Sequence, residues 1–186
     1  MRVKNLILGL ILVLTFCLPV YAIDDGLGLI DQIAISSNKA IPAQIILRGH
    51  YKIVLKGSNG QIKEVREGYN TVVNNGKYGV MDQILASPTL AKAAYMAVGT
   101  GAMTCAAATN ALVTELDRNA LTSKTRSNAV VTMVGDWAAG DGTGALTEAG
   151  TFDAAAAGNM WMCASFSVIN KGASDTLQIT WTLTGS

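Results

Sequence analysis

The strongest constraint on the fold is a strict alternation of apolar and polar side chains near the end of the sequence. Leu177, Ile179, Trp181 and Leu183 occupy every second position, and threonine or glutamine fills the positions between them. Successive side chains of a β-strand point to opposite faces, so this spacing gives one apolar and one polar face. The pattern predicts a half-buried antiparallel strand that packs these four side chains into a core.

Other segments have the composition of strands and are separated by turn residues. Tyr51, Ile53 and Leu55 fall on one face of a strand, and Lys52 and Lys56 fall on the other. Asn59-Gly60 follows, a pair that tolerates the positive φ of a tight hairpin. Further strand-like segments lie at residues 61–67, 93–98, 128–137, 144–152 and 160–170. About seven or eight strands at this spacing predict an antiparallel β-sandwich of jelly-roll-like type over residues 45–186.

One short helix is expected within this mainly β chain, near residues 77–86. Asn75 is a suitable N-cap, and Ser87-Pro88 disfavours continuation of a helix. Helical spacing would place four apolar residues on one face: Val80, Met81, Ile84 and Leu85.

The first 22 residues have the three parts of a secretory signal peptide. Arg2 and Lys4 form a positive region, residues 6–18 are almost wholly apolar, and Val20-Tyr21-Ala22 ends in a small residue suited to cleavage. The apolar run is shorter than the ~20 residues that a membrane span needs. We therefore predict an exported protein, extracellular, periplasmic or on the cell surface, whose mature chain starts at Ile23.

Residues 23–44 are expected to form an N-terminal arm or an edge strand. Their apolar residues are frequent but irregular, and Pro42 interrupts a continuous strand. Such an arm either covers the core of its own domain or pairs with the sheet edge of a neighbouring subunit.

The sequence favours a protein without catalytic activity, cofactor or metal. His50 is the only histidine, which excludes a zinc site built from several histidines, and no nucleophile elbow or phosphate-binding loop is present. The acidic candidates for hydrolysis, Asp136, Asp141, Glu148 and Asp153, fall mostly in predicted loops.

Removal of residues 1–22, with two basic and no acidic residues, changes the net charge from +1 to −1. That balance gives no basis for nucleic-acid binding.

Four residues are singled out as structural. Glu148 is flanked by small or apolar residues, and a buried carboxylate needs a partner. Arg118, whose guanidinium can grip a carboxylate in two places, is the predicted partner. Cys105 and Cys163 either form a disulfide, which export permits, or serve as independent small apolar residues. A fifth structural residue is Trp181, from the last strand.

Several phrases in order resemble a module of tailed-bacteriophage virion-associated or tail-fibre proteins, over about residues 49–184. They are Tyr51-Lys52-Ile53-Val54-Leu55, Asn70-Thr71-Val72-Val73-Asn74-Asn75-Gly76, Tyr95-Met96-Ala97-Val98-Gly99-Thr100-Gly101, Thr114-Glu115-Leu116-Asp117-Arg118, Leu146-Thr147-Glu148-Ala149-Gly150-Thr151-Phe152 and Leu177-Gln178-Ile179-Thr180-Trp181-Thr182-Leu183-Thr184. The resemblance implies a structural or assembly role in a virion, without catalysis.

Together, these features predict a non-enzymatic structural protein that associates with itself and with other virion or surface proteins. Virion proteins assembled in the cytoplasm normally carry no secretory signal. An exported cell-surface or filament subunit, or an adhesin, is therefore the alternative, and a secreted hydrolase using loop acids is a further one.

Overall fold

The computed structural model describes residues 45–186. The signal peptide predicted at residues 1–22 and the arm predicted at residues 23–44 lie outside the described residues and stay predictions. The described chain forms nine strands and one helix: β1 (Leu47–Lys56), β2 (Ile62–Val72), α1 (Asn74–Asp82), β3 (Tyr95–Gly99), β4 (Glu115–Ala120), β5 (Ser123–Ser127), β6 (Val130–Trp137), β7 (Gly144–Phe152), β8 (Met160–Lys171) and β9 (Thr176–Gly185). The prediction of a mainly β fold with one short helix is confirmed.

All nine strands belong to one antiparallel sheet with the order β4-β3-β7-β8-β2-β1-β9-β6-β5. β2 joins the two halves of this sheet. It pairs with β1 over most of its length, but with β8 only at Thr71 and Val72. The sheet is curled, and its two halves share one core. The predicted antiparallel arrangement is therefore confirmed, whereas a sandwich of two separate sheets is not.

The two edge strands of the sheet, β4 and β5, are consecutive along the chain. Only Leu121 and Thr122 separate them. The amide of Leu121 donates to the carbonyl of Ala94, just before β3, and the amide of Thr122 donates to the carbonyl of Val134 in β6. The link thus hydrogen-bonds to both halves of the curled sheet, and it holds the two edges beside each other.

The main core lies inside the curl and draws on both halves of the sheet. Leu177, Ile179, Trp181 and Leu183 of β9 are all buried there, which confirms the prediction for the last strand. The neighbouring strand β1 adds Tyr51, Ile53 and Leu55. The other half contributes a further set of buried side chains: Met96, Val98, Leu146, Ala149, Met162, Ala164 and Ile169.

The helix packs through glycines, contrary to its predicted face. It spans Asn74–Asp82, and its buried residues are Gly76 and Gly79, which lie against the backbone and the ring of Trp161. Met81, Ile84 and Leu85 are exposed, so the predicted apolar face is wrong, apart from a partly buried Val80. The predicted cap is also wrong, because Val73 is at the N-cap position and no side chain caps the helix. Among residues 45–186, no helix is long and apolar enough to cross a membrane.

Candidate functional site

Glu148 is a buried carboxylate that holds a loop by its backbone. Its side chain is fully buried in β7. Oε1 accepts hydrogen bonds from the amides of Gly101 at 3.0 Å and Thr114 at 2.7 Å, and Oε2 accepts one from the amide of Val113 at 3.0 Å. Hydrogen bonds from amides to a carboxylate are stronger than those between neutral groups. Glu148 therefore joins the two ends of the loop at residues 101–114.

The predicted pair of Arg118 with Glu148 is wrong, although both side chains are largely buried. Arg118 forms a two-pronged pair with Glu115, with Nε–Oε1 at 2.8 Å and a guanidinium nitrogen 2.6 Å from Oε2. Its other terminal nitrogen donates to the carbonyls of Ala154 and Ala157, and its guanidinium carbon lies 3.6 Å from the ring centre of Phe152. This stacking is a cation–π contact.

The sheet register explains why Arg118 and Glu148 do not meet. Arg118 pairs with Ala97, which pairs with Gly150, so Glu148 stands two residues along β7 on the same face. From this face, Arg118 reaches towards residues 154–157, whereas Glu148 reaches in the opposite direction, towards residues 101–114. Each of the two charged side chains forms hydrogen bonds with groups close to it, so neither needs the other as a partner.

Cys105 and Cys163 form a disulfide, with Cα atoms 5.8 Å apart. Cys105 belongs to the loop at residues 101–114, and Cys163 is buried in β8. The amide of Asn74 also donates to the carbonyl of Ala107 in the same loop. The loop is thus attached at both ends by Glu148 and in its middle by the disulfide and this hydrogen bond.

The attached loop covers the outer face of one half of the sheet. Ala97 and Cys163 point to this face, while their sequence neighbours point into the main core. The loop adds Met103 and Leu112 to a second apolar cluster on this face, which also contains these buried residues: Val73, Phe152 and Met160. The structural residues predicted from sequence therefore lie in or beside one loop-covered face, except for Trp181 in the main core.

The edge strand β5 is the most exposed strand of the sheet. All five of its residues, Ser123–Ser127, are exposed, and its backbone pairs with β6 on one side only. Lys124 and Arg126 alternate along it. Exposed charges on a short edge strand discourage uncontrolled pairing with other chains. A partner for this edge would therefore need acidic or strongly polar groups opposite the two cations.

A cavity of about 580 Å³ opens between β5, the end of α1 and the residues before β3. Its apolar lining comes from seven side chains: Val80, Ala93, Val131, Met133, Trp161, Met162 and Leu183. Lys92, Lys124 and Arg126 also line it, and among the described lining residues there is no aspartate or glutamate. We call this feature the basic-rimmed cavity.

Lys124 spans the opening of the basic-rimmed cavity. Its Nζ donates to the carbonyl of Ala93 at 2.6 Å, on the opposite half of the sheet. Burial lowers the pKa of the Lys124 ammonium below its usual value, and the positive charge of Lys92 lowers it further. Sequence reasoning did not find this cavity, because its residues come from six separate segments of the chain. The only local signal is the alternation of Lys124 and Arg126 in β5.

The residues considered for catalysis lie apart from this cavity. His50 is in β1, where it contacts the rings of Tyr51 and Tyr69. Asp136 bonds to Gln178 and Asp153 bonds to Asn159, each in a different part of the fold. Within residues 45–186, no three of the histidine, cysteine, aspartate and glutamate side chains are grouped so that they could hold a metal ion.

Compared with known proteins, the chain matches no family model, no curated protein and no solved structure.

Proposed function

We propose that this chain is a non-enzymatic structural protein that assembles with copies of itself, as a virion tail or fibre component does. The observation that carries the proposal is the edge strand β5, whose five residues are all exposed and whose backbone pairs on one side only. An extended segment from a neighbouring copy can add to such an edge through main-chain hydrogen bonds. We assign this role to residues 23–44 of the neighbour.

Charge and apolar content support the arm as the assembling segment. Residues 23–44 contain Asp24, Asp25 and Asp31 against one lysine, and they also carry five isoleucines and two leucines. The edge strand offers Lys124 and Arg126. Opposite charges on facing strands stabilise their pairing, and like charges destabilise it.

A second surface with unpartnered apolar side chains also favours assembly. Tyr78, Met81, Ile84 and Leu85 are exposed on α1 and the turn after it, with Ile84 75% accessible. Ile45 and Met81 line a common depression beside Leu47. Contiguous exposed apolar side chains typically mark sites of protein–protein contact.

We further propose that the two halves of the curled sheet act as the layers of a jelly-roll-like sandwich, since one core draws on both.

The disulfide favours the second candidate, an exported cell-surface or filament subunit or adhesin. Disulfides persist in oxidising environments and are rare in the cytosol. The pair Cys105–Cys163 therefore supports the secretory signal predicted at residues 1–22. N-terminal sequencing separates the two candidates. A chain that starts at Ile23 in exported material supports the surface subunit, and intact Met1 within purified particles supports the virion component.

The assembly proposal is tested by light scattering of the purified protein and of a variant that lacks residues 23–44. We expect oligomers from the first and a folded, less associated domain from the second. Ile33→Asp should weaken association, whereas the matched control Gln32→Asp adds the same charge without removing an apolar side chain. Monomers from both proteins at tens of micromolar would contradict the proposal. A deletion variant that does not fold would assign the arm to its own core.

A further inference from the structure

We propose that the basic-rimmed cavity binds a fatty acid, with the aliphatic chain against the apolar lining and the carboxylate at Lys92, Lys124 and Arg126. Lys124 and Arg126 were assigned above to the acidic arm of a neighbouring copy, so the arm and the fatty acid would compete for them, and the competition test below separates the two. The cavity volume of about 580 Å³ lies within the range of small-molecule sites, roughly 300–1,000 Å³. Such sites combine a mainly apolar wall with a few polar groups that orient the ligand.

The apolar part of the cavity suits a flexible chain. Met133 and Met162 can adjust to an irregular ligand because their side chains are unbranched and polarisable. Trp161 and Leu183 add wall area from β8 and β9. Burial of an aliphatic chain here would remove from water both the chain and the apolar groups that now line an open cavity.

The charged part of the cavity selects an anion. Three cations line it, no described lining residue is acidic, and none of the three forms an ion pair with a carboxylate of the described chain. The Lys124 ammonium is anchored only to the Ala93 carbonyl, and Arg126 donates to the carbonyl of Asn128. A ligand carboxylate would supply the negative charge that these side chains lack, and it could accept charge-assisted hydrogen bonds from them.

A carboxylate would also relieve an unfavourable arrangement of charges at the cavity. Lys92 and Lys124 are close enough for the charge of one to disfavour the charge of the other, and Lys124 is partly desolvated. An anion between them would offset both effects. A neutral apolar ligand would leave the repulsion between the two lysines unrelieved, and a cationic one would add to it.

The first test compares dodecanoate, dodecanol and dodecyltrimethylammonium on the purified protein by calorimetry. All three have the same chain and differ in head-group charge. We expect saturable binding of dodecanoate with one site per chain, at least about tenfold tighter than the alcohol, because the charge-assisted bonds are absent there. The cationic amphiphile should bind weakest. Equal affinities, or no saturable binding of dodecanoate, would overturn the proposal.

The second test places the ligand. Lys124→Gln and Arg126→Gln should each weaken dodecanoate binding about tenfold, as expected for loss of one charge-assisted contact. The matched control is Lys56→Gln, an exposed lysine at the other end of the sheet, beside Thr176. Val131→Phe should fill the cavity and abolish binding. If the control weakens binding as much as Lys124→Gln does, the carboxylate site is elsewhere and the proposal fails.

The third test reports contact with the wall and does not require the charge variants to fold. A brominated dodecanoate should quench tryptophan fluorescence, and Trp161→Phe should remove most of the quenching, since neither Trp137 nor Trp181 lines the cavity. A synthetic peptide of residues 23–44 serves as competitor. If the peptide displaces dodecanoate at a lower concentration than unlabelled dodecanoate does, the cavity is an arm site and the fatty-acid proposal is overturned.

Discussion

The carboxylate of Glu148 in β7 accepts a hydrogen bond from the backbone amide of Gly101, 47 positions earlier in the chain, at 3.0 Å. Together with its bonds to the amides of Val113 and Thr114, this contact fixes both ends of the loop that covers one face of the sheet. One charged side chain thus substitutes for the strand pairing that the loop lacks. Unpaired backbone amides in a buried position are costly, so the loop depends on it.

Glu148→Gln should destabilise the protein by about 2–3 kcal/mol, because an amide group keeps one acceptor and turns the other into a donor that faces a backbone N–H. Urea unfolding measures the loss, and hydrogen exchange should become faster at Gly101, Val113 and Thr114. The control Glu67→Gln removes an exposed pair with Lys52 and should cost much less than Glu148→Gln. Unchanged exchange at the three amides would contradict this assignment.

Trp181→Ala should cost about 3–5 kcal/mol, as truncation of a large aromatic side chain in a core does. Trp181 is fully buried between Tyr51 of β1 and Met133 of β6, its partners in register. Thr180→Ala, on the other face of β9, should cost less than about 1 kcal/mol. Equal losses at the two positions in urea unfolding would show that the face assignment is wrong.

The sequence was sufficient for β9 because that strand has one buried and one solvated face. Its alternation gave both the strand and its buried residues. Burial of Glu148 was also predictable, from the small and apolar residues around it. Its partners were not, because they are backbone amides of a loop, and an amide is present at every residue but proline. A side chain such as Arg118 leaves a signal in the sequence, whereas a backbone donor leaves none.

The edge strands and the helix packing were missed for different reasons. β5 consists of Ser123–Ser127 with every residue exposed, so it lacks the apolar alternation that predicts a strand. It forms because β6 pairs with it and the Leu121-Thr122 link places it there. The helix was assigned an apolar face, yet it approaches β8 through Gly76 and Gly79. Close approach of two backbones requires the absence of a side chain, and hydrophobic periodicity does not detect that absence.

Gly76→Ala should destabilise the protein by about 1–3 kcal/mol, although alanine is the better helix former by about 1 kcal/mol. A Cβ at this position would overlap the backbone carbonyl of Trp161, which is fixed by the amide of Val73. The control Lys77→Ala, at an exposed position of the same helix, should change stability by less than about 0.5 kcal/mol. A stabilising Gly76→Ala in thermal unfolding would mean that the helix does not approach β8 this closely.

Reduction of the Cys105–Cys163 disulfide should lower the free energy of unfolding by about 4 kcal/mol, because the bond closes a loop with a sequence separation of 58 residues. Urea unfolding with and without dithiothreitol measures this difference. A Cys105→Ser, Cys163→Ala variant should resemble the reduced protein and show no response to dithiothreitol. Two free thiols at positions 105 and 163 in the native protein would contradict the prediction.

Asp175 should make stability depend on pH in the acid range. A hydrogen bond from Lys63, at 2.7 Å, and one from the amide of Gly172 lower the pKa of its carboxyl below the ordinary value of 3.8. The stability that follows from a lowered acid pKa is fully present above about pH 4 and is lost as pH falls through the folded-state pKa. Asp175→Asn should therefore destabilise the protein at pH 7, and the gap to the unmodified protein should close towards pH 2.

Urea unfolding of both proteins across this range gives the gap directly. The same substitution in a Lys63→Gln background separates the two contributions. Since the hydrogen bond from Lys63 is the largest cause of the lowered pKa, its removal should make the gap smaller and less dependent on pH. A gap that is equally wide at pH 7 and pH 2 would show instead that Asp175 acts through its shape and neutral hydrogen bonds, and that its charge adds nothing to stability.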